Sequence, residues 1–167
     1  MTEITKVYRQ TMGISKFIGK RYTNKDRVDG SFGAKWGEWF QNEWFALLEK
    51  QAVDCMKSTC EDGAATIGLM REISGGFEYW IGYFMPISTP VPEGFDSVDF
   101  PKSDIGVCWV YGKEEEIFMQ EGRCGERLEA EGFKMKGEWC FERYTCPRFT
   151  TPDEKGNITL DIGFFVE

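Results

Sequence analysis

Glu142 and Tyr144 are the two residues whose types and spacing point most directly to chemistry. They lie in residues 139–146, a stretch whose composition predicts a β-strand that ends at Pro147. Alternation along a strand places both side chains on one face, together with Cys140 and Cys146. The Tyr144 hydroxyl is then positioned to hydrogen-bond the Glu142 carboxylate. Such a pair can hold a cation, or can act as a base with a proton donor beside it.

Two environments for Glu142 are compatible with the sequence. An exposed strand glutamate would pair with a neighbouring basic residue such as Arg143 or Arg71, since carboxylates are rarely buried unless paired. A buried glutamate without a lysine or metal partner is costly unless it is hydrogen-bonded or neutralised by the charge of a ligand. The residues alone leave both environments open.

Glu43 is the second unusual carboxylate. Ser31 is a suitable N-cap for a helix predicted to run to about residue 53. On a helical wheel, Glu43 falls near the middle of an apolar face formed by Trp36, Trp39, Phe40, Trp44, Leu47 and Leu48. A carboxylate there lies either at the rim of the buried face or in a cavity, where desolvation would raise its pKa.

Several kinds of active site are excluded by residue types. The chain has no histidine, and its six cysteines form no C-x-x-C pair, so we expect reduced thiols and no structural zinc: Cys55, Cys60, Cys108, Cys124, Cys140 and Cys146. A serine or cysteine nucleophile would lack an activating histidine, and no G-x-S-x-G, phosphate-loop or dinucleotide motif occurs. We therefore expect no metal and no cofactor, and any catalysis would depend on carboxylates, phenols and water.

Length and charge narrow the function classes. The 167 residues predict a single domain spanning 1–167, and the net charge of −8 opposes binding to phosphate backbones. We expect no direct contact with nucleic acid, whereas the same negative field attracts small cations. No apolar run approaches the roughly 20 residues that cross a bilayer, and no signal core is seen. A cytoplasmic protein that makes no membrane contact is the expectation.

The predicted elements repeat. Residues 16–23 form a strand, residues 31–53 a helix, and residues 66–73 and 77–86 a hairpin around Ser74-Gly75-Gly76. After a proline-rich and glycine-rich linker at 87–94, a strand at 105–111, a helix at 113–131 and strands at 139–146 and 158–166 follow the same order. Ile81-Gly82 and Ile162-Gly163 occupy matching places, 81 residues apart. We predict an α+β fold of two β-α-β-β halves, 1–88 and 95–167. The halves form a mainly antiparallel curved sheet with two helices on one side and a groove between them.

The duplicated order of strands and helices is one of several features shared with a known protein family. The others are Trp139-x-x-Glu142-x-Tyr144 and the segments DRVDGSFGAKWGEWF, GFEYWIGYFMP and CPRF. On these features the chain resembles the GyrI-like small-molecule-binding superfamily, the effector-binding domains of AraC-type and multidrug-sensing bacterial regulators, as a stand-alone member. The helix-turn-helix of those regulators is absent from the sequence.

The resemblance implies a pocket lined by aromatic side chains, with a carboxylate at its base, that binds flat and often cationic compounds. The expected ligand-binding residues are Glu142, Tyr144, Trp139, Tyr79, Trp109, Tyr111, Tyr83, Phe40, Trp36 and Trp39. The leading interpretation is a binder or sensor of small hydrophobic, aromatic or cationic compounds, in transcription regulation, acting as a monomer or homodimer with or without a separate regulator protein.

Two other functions stay open. One is hydrolysis of cyclopropane-containing alkylating natural products, in which Glu142 or Glu43 activates water and Tyr144 or Tyr79 donates a proton. The other is a protein-interaction role of the gyrase-inhibitor type. Formation of a product would distinguish the first of these from a binder, and association with a macromolecule would favour the second.

Overall fold

The computed structural model describes residues 1–59 and 65–167, with the backbone alone for residues 52–59. The described residues form an α+β fold with one open antiparallel sheet, which confirms the predicted fold class. The strands are β1 (Glu3–Met12), β2 (Ser15–Thr23), β3 (Ile67–Ile73), β4 (Gly76–Pro86), β5 (Asp96–Phe100), β6 (Ser103–Gly112), β7 (Met135–Arg143) and β8 (Ile158–Val166).

Four α-helices occur within the described residues: α1 (Gly33–Gln41), α2 (Trp44–Thr59), α3 (Glu121–Ala130) and the single turn α4 (Pro147–Thr150). Short 3-10 turns lie at Asn24–Asp26 and Glu114–Glu116. Across 1–59 and 65–167, no helix has both the length and the apolar character that spanning a bilayer requires.

Both predicted long helices are interrupted, which corrects the expected boundaries. The first divides at Asn42 and Glu43, where Glu43 has a left-handed φ of 53° and the Asn42 side-chain amide donates to the Glu38 carbonyl at 2.8 Å. The second begins only at Glu121, after Met119 with a φ of 59°. A left-handed residue cannot continue a right-handed helix, so each chain segment changes direction at that point.

The strand order β1-β6-β8-β7-β3-β4-β2-β5 relates the two halves. Read from either end, it presents matching strands in the same sequence, so β4 and β8 occupy equivalent positions, as predicted from the Ile-Gly echo. The repeating unit is longer than expected, however, because β1 and β5 are strands too. Each is the first strand of its own half and pairs with a strand of the other half, β1 with β6 and β5 with β2. Both are edge strands whose residues are largely charged and partly or fully exposed. Their sequences therefore lack the alternation of apolar and polar residues by which a strand is predicted.

The two faces of the sheet have different cores. One face buries Met12, Phe17, Phe84, Phe100 and Phe141 without a covering helix. Met12 from β1 and Phe100 from β5, at opposite ends of the sheet, belong to the same cluster, so the sheet curves around it. The other face carries one cluster under α1 and α2 and another beside α3. Between these two clusters, above the central strands β3 and β7, the sheet borders a cleft.

Candidate ligand-binding cleft

A cleft of about 1270 Å³ lies on the helical face, where the two halves meet. One wall comes from α1 and the residue before it, and the opposite wall from the segment that leads into α3. Strands β3, β4 and β7 form its base, and α4 contributes at one end. Its apolar lining residues are mainly aromatic: Phe32, Trp36, Phe40, Met70, Phe77, Tyr79, Phe118, Met119, Tyr144 and Phe149. Concave, largely apolar surfaces with a few polar groups are typical of small-molecule sites.

Glu142 lies at the base of this cleft and is only 5% exposed. It is on the central strand β7, where alternation directs Glu142 and Cys140 to the helical face and Phe141 and Arg143 to the opposite core. The Tyr144 hydroxyl donates a short hydrogen bond to Glu142 Oε2. The carboxyl-phenol pair expected from the spacing is therefore present and faces the cleft.

Tyr79 lies beside this pair, and its position is fixed by one hydrogen bond and one stacking contact. The Trp36 indole N–H donates to the Tyr79 hydroxyl at 3.0 Å, and the Phe32 ring stacks on the Tyr79 ring at 4.4 Å with 3° between their planes. Space for the hydroxyl comes from Gly68 on β3. A Cβ at Gly68 would lie 2.4 Å from the Tyr79 hydroxyl oxygen and 3.5 Å from Cε2 of Tyr144.

Burial, reinforced by the nearby Glu121 carboxylate, raises the pKa of Glu142 to about 8 despite the opposing hydrogen bond from Tyr144. Burial and the charge of Glu142 likewise raise the pKa of the Tyr144 and Tyr79 hydroxyls. Burial, followed by the carboxylates of Glu121 and Glu142, raises the pKa of Cys140 to about 12. Near neutral pH, this end of the cleft therefore holds a neutral thiol, neutral phenols and a largely protonated carboxyl.

Two other buried carboxylates show what Glu142 lacks. Glu78 accepts contacts from Arg21 and Arg71, each at 3.0 Å. Hydrogen bonds from Trp80 and these arginines outweigh burial and lower the pKa of Glu78.

Asp161 is bound by Arg143 Nη2 at 2.8 Å and by a short contact from Arg148. Arg71 and Arg143, the basic residues that the sequence offered to Glu142, are thus paired with other carboxylates. Among the described side chains, none forms an ion pair with Glu142.

The cleft as a whole is acidic. Its lining includes five glutamates, Glu72, Glu114, Glu121, Glu138 and Glu142, but only two arginines, Arg27 and Arg71. Arg71 is paired with Glu78, which leaves the negative charge of the cleft still less compensated. Such a field attracts cations and repels anions.

Five of the sequence-predicted residues line the cleft: Glu142, Tyr144, Tyr79, Trp36 and Phe40. Two more point to the helical side but are covered. The Trp39 indole is fully buried and donates to the Tyr22 hydroxyl at 3.0 Å, and the Tyr83 hydroxyl donates to Glu49 of α2 at 2.7 Å. Neither residue lines the cleft.

The structure does not bring Trp139, Trp109, Tyr111 or Glu43 to the cleft. Trp139 is three residues from Glu142, so it points to the opposite face, where it packs on Phe100. Trp109 packs against the same core cluster. The Tyr111 hydroxyl donates to Asp153 at 2.6 Å, and Glu43 is exposed in the break between α1 and α2.

Sequence inspection missed several lining residues. Cys140 was placed on the face of Glu142 but not among the ligand-binding residues. Met70 carried the same signal, because it alternates in register with Gly68 and pairs with Cys140 across β3 and β7. Phe118, Met119 and Glu121 come from a segment predicted as continuous helix, and only the tertiary structure places them opposite α1. Within the described residues, no three cysteine, aspartate or glutamate side chains are arranged to hold a metal ion. Cys55 and Cys60 lie outside the described side chains.

No protein-family model matches the chain, and no curated protein matches its sequence. Solved structures do match its fold. SAV2435 bound to tetraphenylphosphonium has a TM-score of 0.65 at 15% identity, over 98% of this chain and 94% of that chain. A Staphylococcus aureus MU50 protein, whose name proposes bacterial transcription regulation, has a TM-score of 0.64 at 17% identity, over 98% and 99%. The EcmrR C-terminal domain has a TM-score of 0.59 at 10% identity, over 97% of both chains. The chain therefore has a fold found in ligand-bound and regulator-related proteins.

Proposed function

We propose that this protein is a binder or sensor of small hydrophobic compounds that carry a positive charge on or beside aromatic groups. One observation carries the proposal: Glu142 is buried at the base of an aromatic cleft and, unlike Glu78 and Asp161, pairs with no cation among the described side chains. A bound cation would supply the missing charge, since a buried carboxylate is stable only when it is paired, hydrogen-bonded or protonated.

The walls of the cleft suit the same ligand. Trp36 and Tyr79 line the cleft together with Glu142. A cation that contacts the face of an aromatic ring gains about 0.5–2 kcal/mol, more when it is desolvated. The neighbouring complex with tetraphenylphosphonium supports a lipophilic cation as ligand, and the regulator neighbours support a sensing role in transcription regulation. Each likeness is distant, so the ligand class rests on the residues of this cleft.

Calorimetric titration with ligands of matched shape tests the proposal. Tetraphenylphosphonium and tetraphenylborate have nearly the same size and opposite charge, and triphenylphosphine oxide is a neutral analogue. At pH 8.5 we expect the phosphonium to bind at least tenfold more tightly than the phosphine oxide, and the borate not to bind. Equal affinity for the phosphonium and the borate would rule out charge recognition. Absence of binding by the phosphonium and by a flat cation such as rhodamine 6G would rule out the proposed function.

The hydrogen bond from Tyr144 to Glu142 supports hydrolysis of strained alkylating compounds as a second candidate. Ionised Glu142 would take a proton from water, whose oxygen would bond to a cyclopropane carbon as the ring C–C bond breaks. Tyr144 or Tyr79 would protonate the oxygen that receives the electron pair. Mass spectrometry of a cyclopropane-bearing alkylator incubated with the protein would reveal a water adduct. Glu142→Gln should lower its rate about 10²–10⁴-fold. No adduct with the unaltered protein would reject this activity.

A further inference from the structure

Every titratable group that faces Glu142 among the described residues is neutral or acidic. Cys140 on β7 and Tyr144, just after the end of β7, flank it along the chain, Tyr79 faces it from β4, and Glu121 faces it from α3. Its partner across β3 is Gly68, which brings no charge. The helix α1 contributes Trp36, which is also uncharged.

The two arginines of the cleft are engaged elsewhere. Arg71 lies 3.0 Å from Glu78. Arg27 packs its guanidinium over the Phe32 ring at 4.6 Å and donates to Asn24 and to the Gly30 carbonyl. Among the described residues, Glu142 accepts a hydrogen bond from the Tyr144 phenol, and the carboxyl group of Glu121 lies within hydrogen-bonding reach of it.

Two neighbouring carboxyl groups repel each other when both are ionised, so the pair holds a proton to higher pH than an isolated carboxyl group does. Here the more buried of the two is Glu142, at 5% exposure. A cation bound in the cleft favours the ionised form of Glu142, because it places the opposite charge beside the carboxylate.

We propose that the cleft exchanges a proton for its cationic ligand: the carboxyl group of Glu142 is protonated when the cleft is empty and ionised when the cation is bound. The inference rests on the proposed function and adds a second, competing ligand to the same site, the proton. One O–H bond of Glu142 breaks, the proton leaves to solvent, and the carboxylate remains as the counter-ion. The charge inside the cleft is the same before and after binding.

The exchange predicts how affinity depends on pH. Below the pKa of Glu142, which is raised to about 8, each unit of acidification should weaken the cation about tenfold, because the proton competes for the carboxylate. Above that pH the affinity should level off. Acidification would therefore release the ligand, and a rise in pH would favour its uptake.

Proton release is measurable by calorimetry with tetraphenylphosphonium at pH 7 in phosphate and in Tris, two buffers of different ionisation enthalpy. We expect close to one proton released per phosphonium bound, and none from Glu142→Gln. Glu126→Gln, an exposed position on α3 outside the cleft lining, is the matched control and should release the same number as the unaltered protein.

The outcomes separate the two proposals. Phosphonium binding with less than about 0.2 protons released at pH 7 would overturn the exchange and leave cation binding intact. No binding would overturn both. A measurement without ligand provides a further test, namely carboxyl-carbon NMR of the protein labelled with 13C-glutamate, with the Glu142 signal assigned from its loss in Glu142→Gln. Titration near pH 8 supports the exchange, whereas titration near the ordinary glutamate value of about 4.3 overturns it.

Discussion

Gly68 and Glu142 are paired directly across β3 and β7, at equivalent positions of the two halves. Gly82 pairs with Ile67 and Gly163 pairs with Phe141, so the Ile-Gly echo makes Ile67 equivalent to Phe141 and Gly68 equivalent to Glu142. The axis that relates the halves therefore passes between a glycine and a glutamate. A symmetric scaffold carries an asymmetric site, in which one half supplies the carboxyl group and the other supplies the space beside it.

Removal of the charge of Glu142 should discriminate between ligand classes. At pH 8.5, Glu142→Gln should weaken tetraphenylphosphonium by more than tenfold and change the affinity for triphenylphosphine oxide by no more than a few-fold, because the shape of the cleft is retained. Loss of a buried ionic contact typically costs about 2–5 kcal/mol, so calorimetry can resolve it. Equal losses for both compounds would show that Glu142 acts through shape or folding.

The same substitution should stabilise the ligand-free protein at high pH. The folded-state pKa of Glu142, about 8, lies above the unfolded value, so the folded protein holds the proton more tightly and loses stability as pH rises between them. The advantage of Glu142→Gln should be near zero at pH 4.5, grow by up to about 1.4 kcal/mol per pH unit, and level off above pH 8. Urea unfolding at pH 4.5, 6, 7.5 and 9 measures it. A pH-independent difference would contradict burial as its cause.

Gly68→Ala should disturb the site through the Tyr79 hydroxyl. The new methyl group would lie 2.4 Å from that oxygen, so the Tyr79 ring must shift and its hydrogen bond from Trp36 must weaken. Overpacking of this kind costs about 1–3 kcal/mol of folding free energy, and we expect weaker phosphonium binding as well.

Gly122→Ala is the matched control for this change. No atom lies within 4 Å of a Cβ at Gly122, which is in α3, so alanine there should leave stability unchanged or raise it by up to about 1 kcal/mol. If Gly68→Ala behaves like Gly122→Ala in thermal unfolding and in calorimetry, the close packing at Gly68 does not matter for the site.

A pair of tryptophan substitutions tests which face of the sheet binds the ligand. Trp36→Phe removes the indole donor to Tyr79 and part of the cleft wall, so phosphonium affinity should fall about threefold to tenfold. Trp139→Phe alters a side chain that packs on Phe100 on the opposite face, so affinity should stay within twofold of the unaltered protein. A larger loss of affinity from Trp139→Phe than from Trp36→Phe would show that the ligand binds on the face opposite the helices, which contradicts the proposed cleft.

Much of the fold followed from local signals in the sequence. The turn residues Ser74-Gly75-Gly76 located the hairpin of β3 and β4, and the Ile-Gly echo related β4 to β8. Alternation put Tyr144 beside Glu142, because a strand has a period of two residues regardless of what packs on it. The same rule would have excluded Trp139 from the side of Glu142, since the two are an odd number of residues apart.

The environment of Glu142 was decided by tertiary structure. Its sequence neighbourhood offers Arg143, but that guanidinium lies on the other face, bound to Asp161, which is 18 residues away along the chain. Burial, the proximity of Glu121 and the wall formed by α1 depend on how distant segments pack, and the breaks at Glu43 and Met119 set the directions of those segments. A pattern of residues determines which face a side chain occupies, whereas its pKa and its partners depend on charges and surfaces that only the packed molecule brings together.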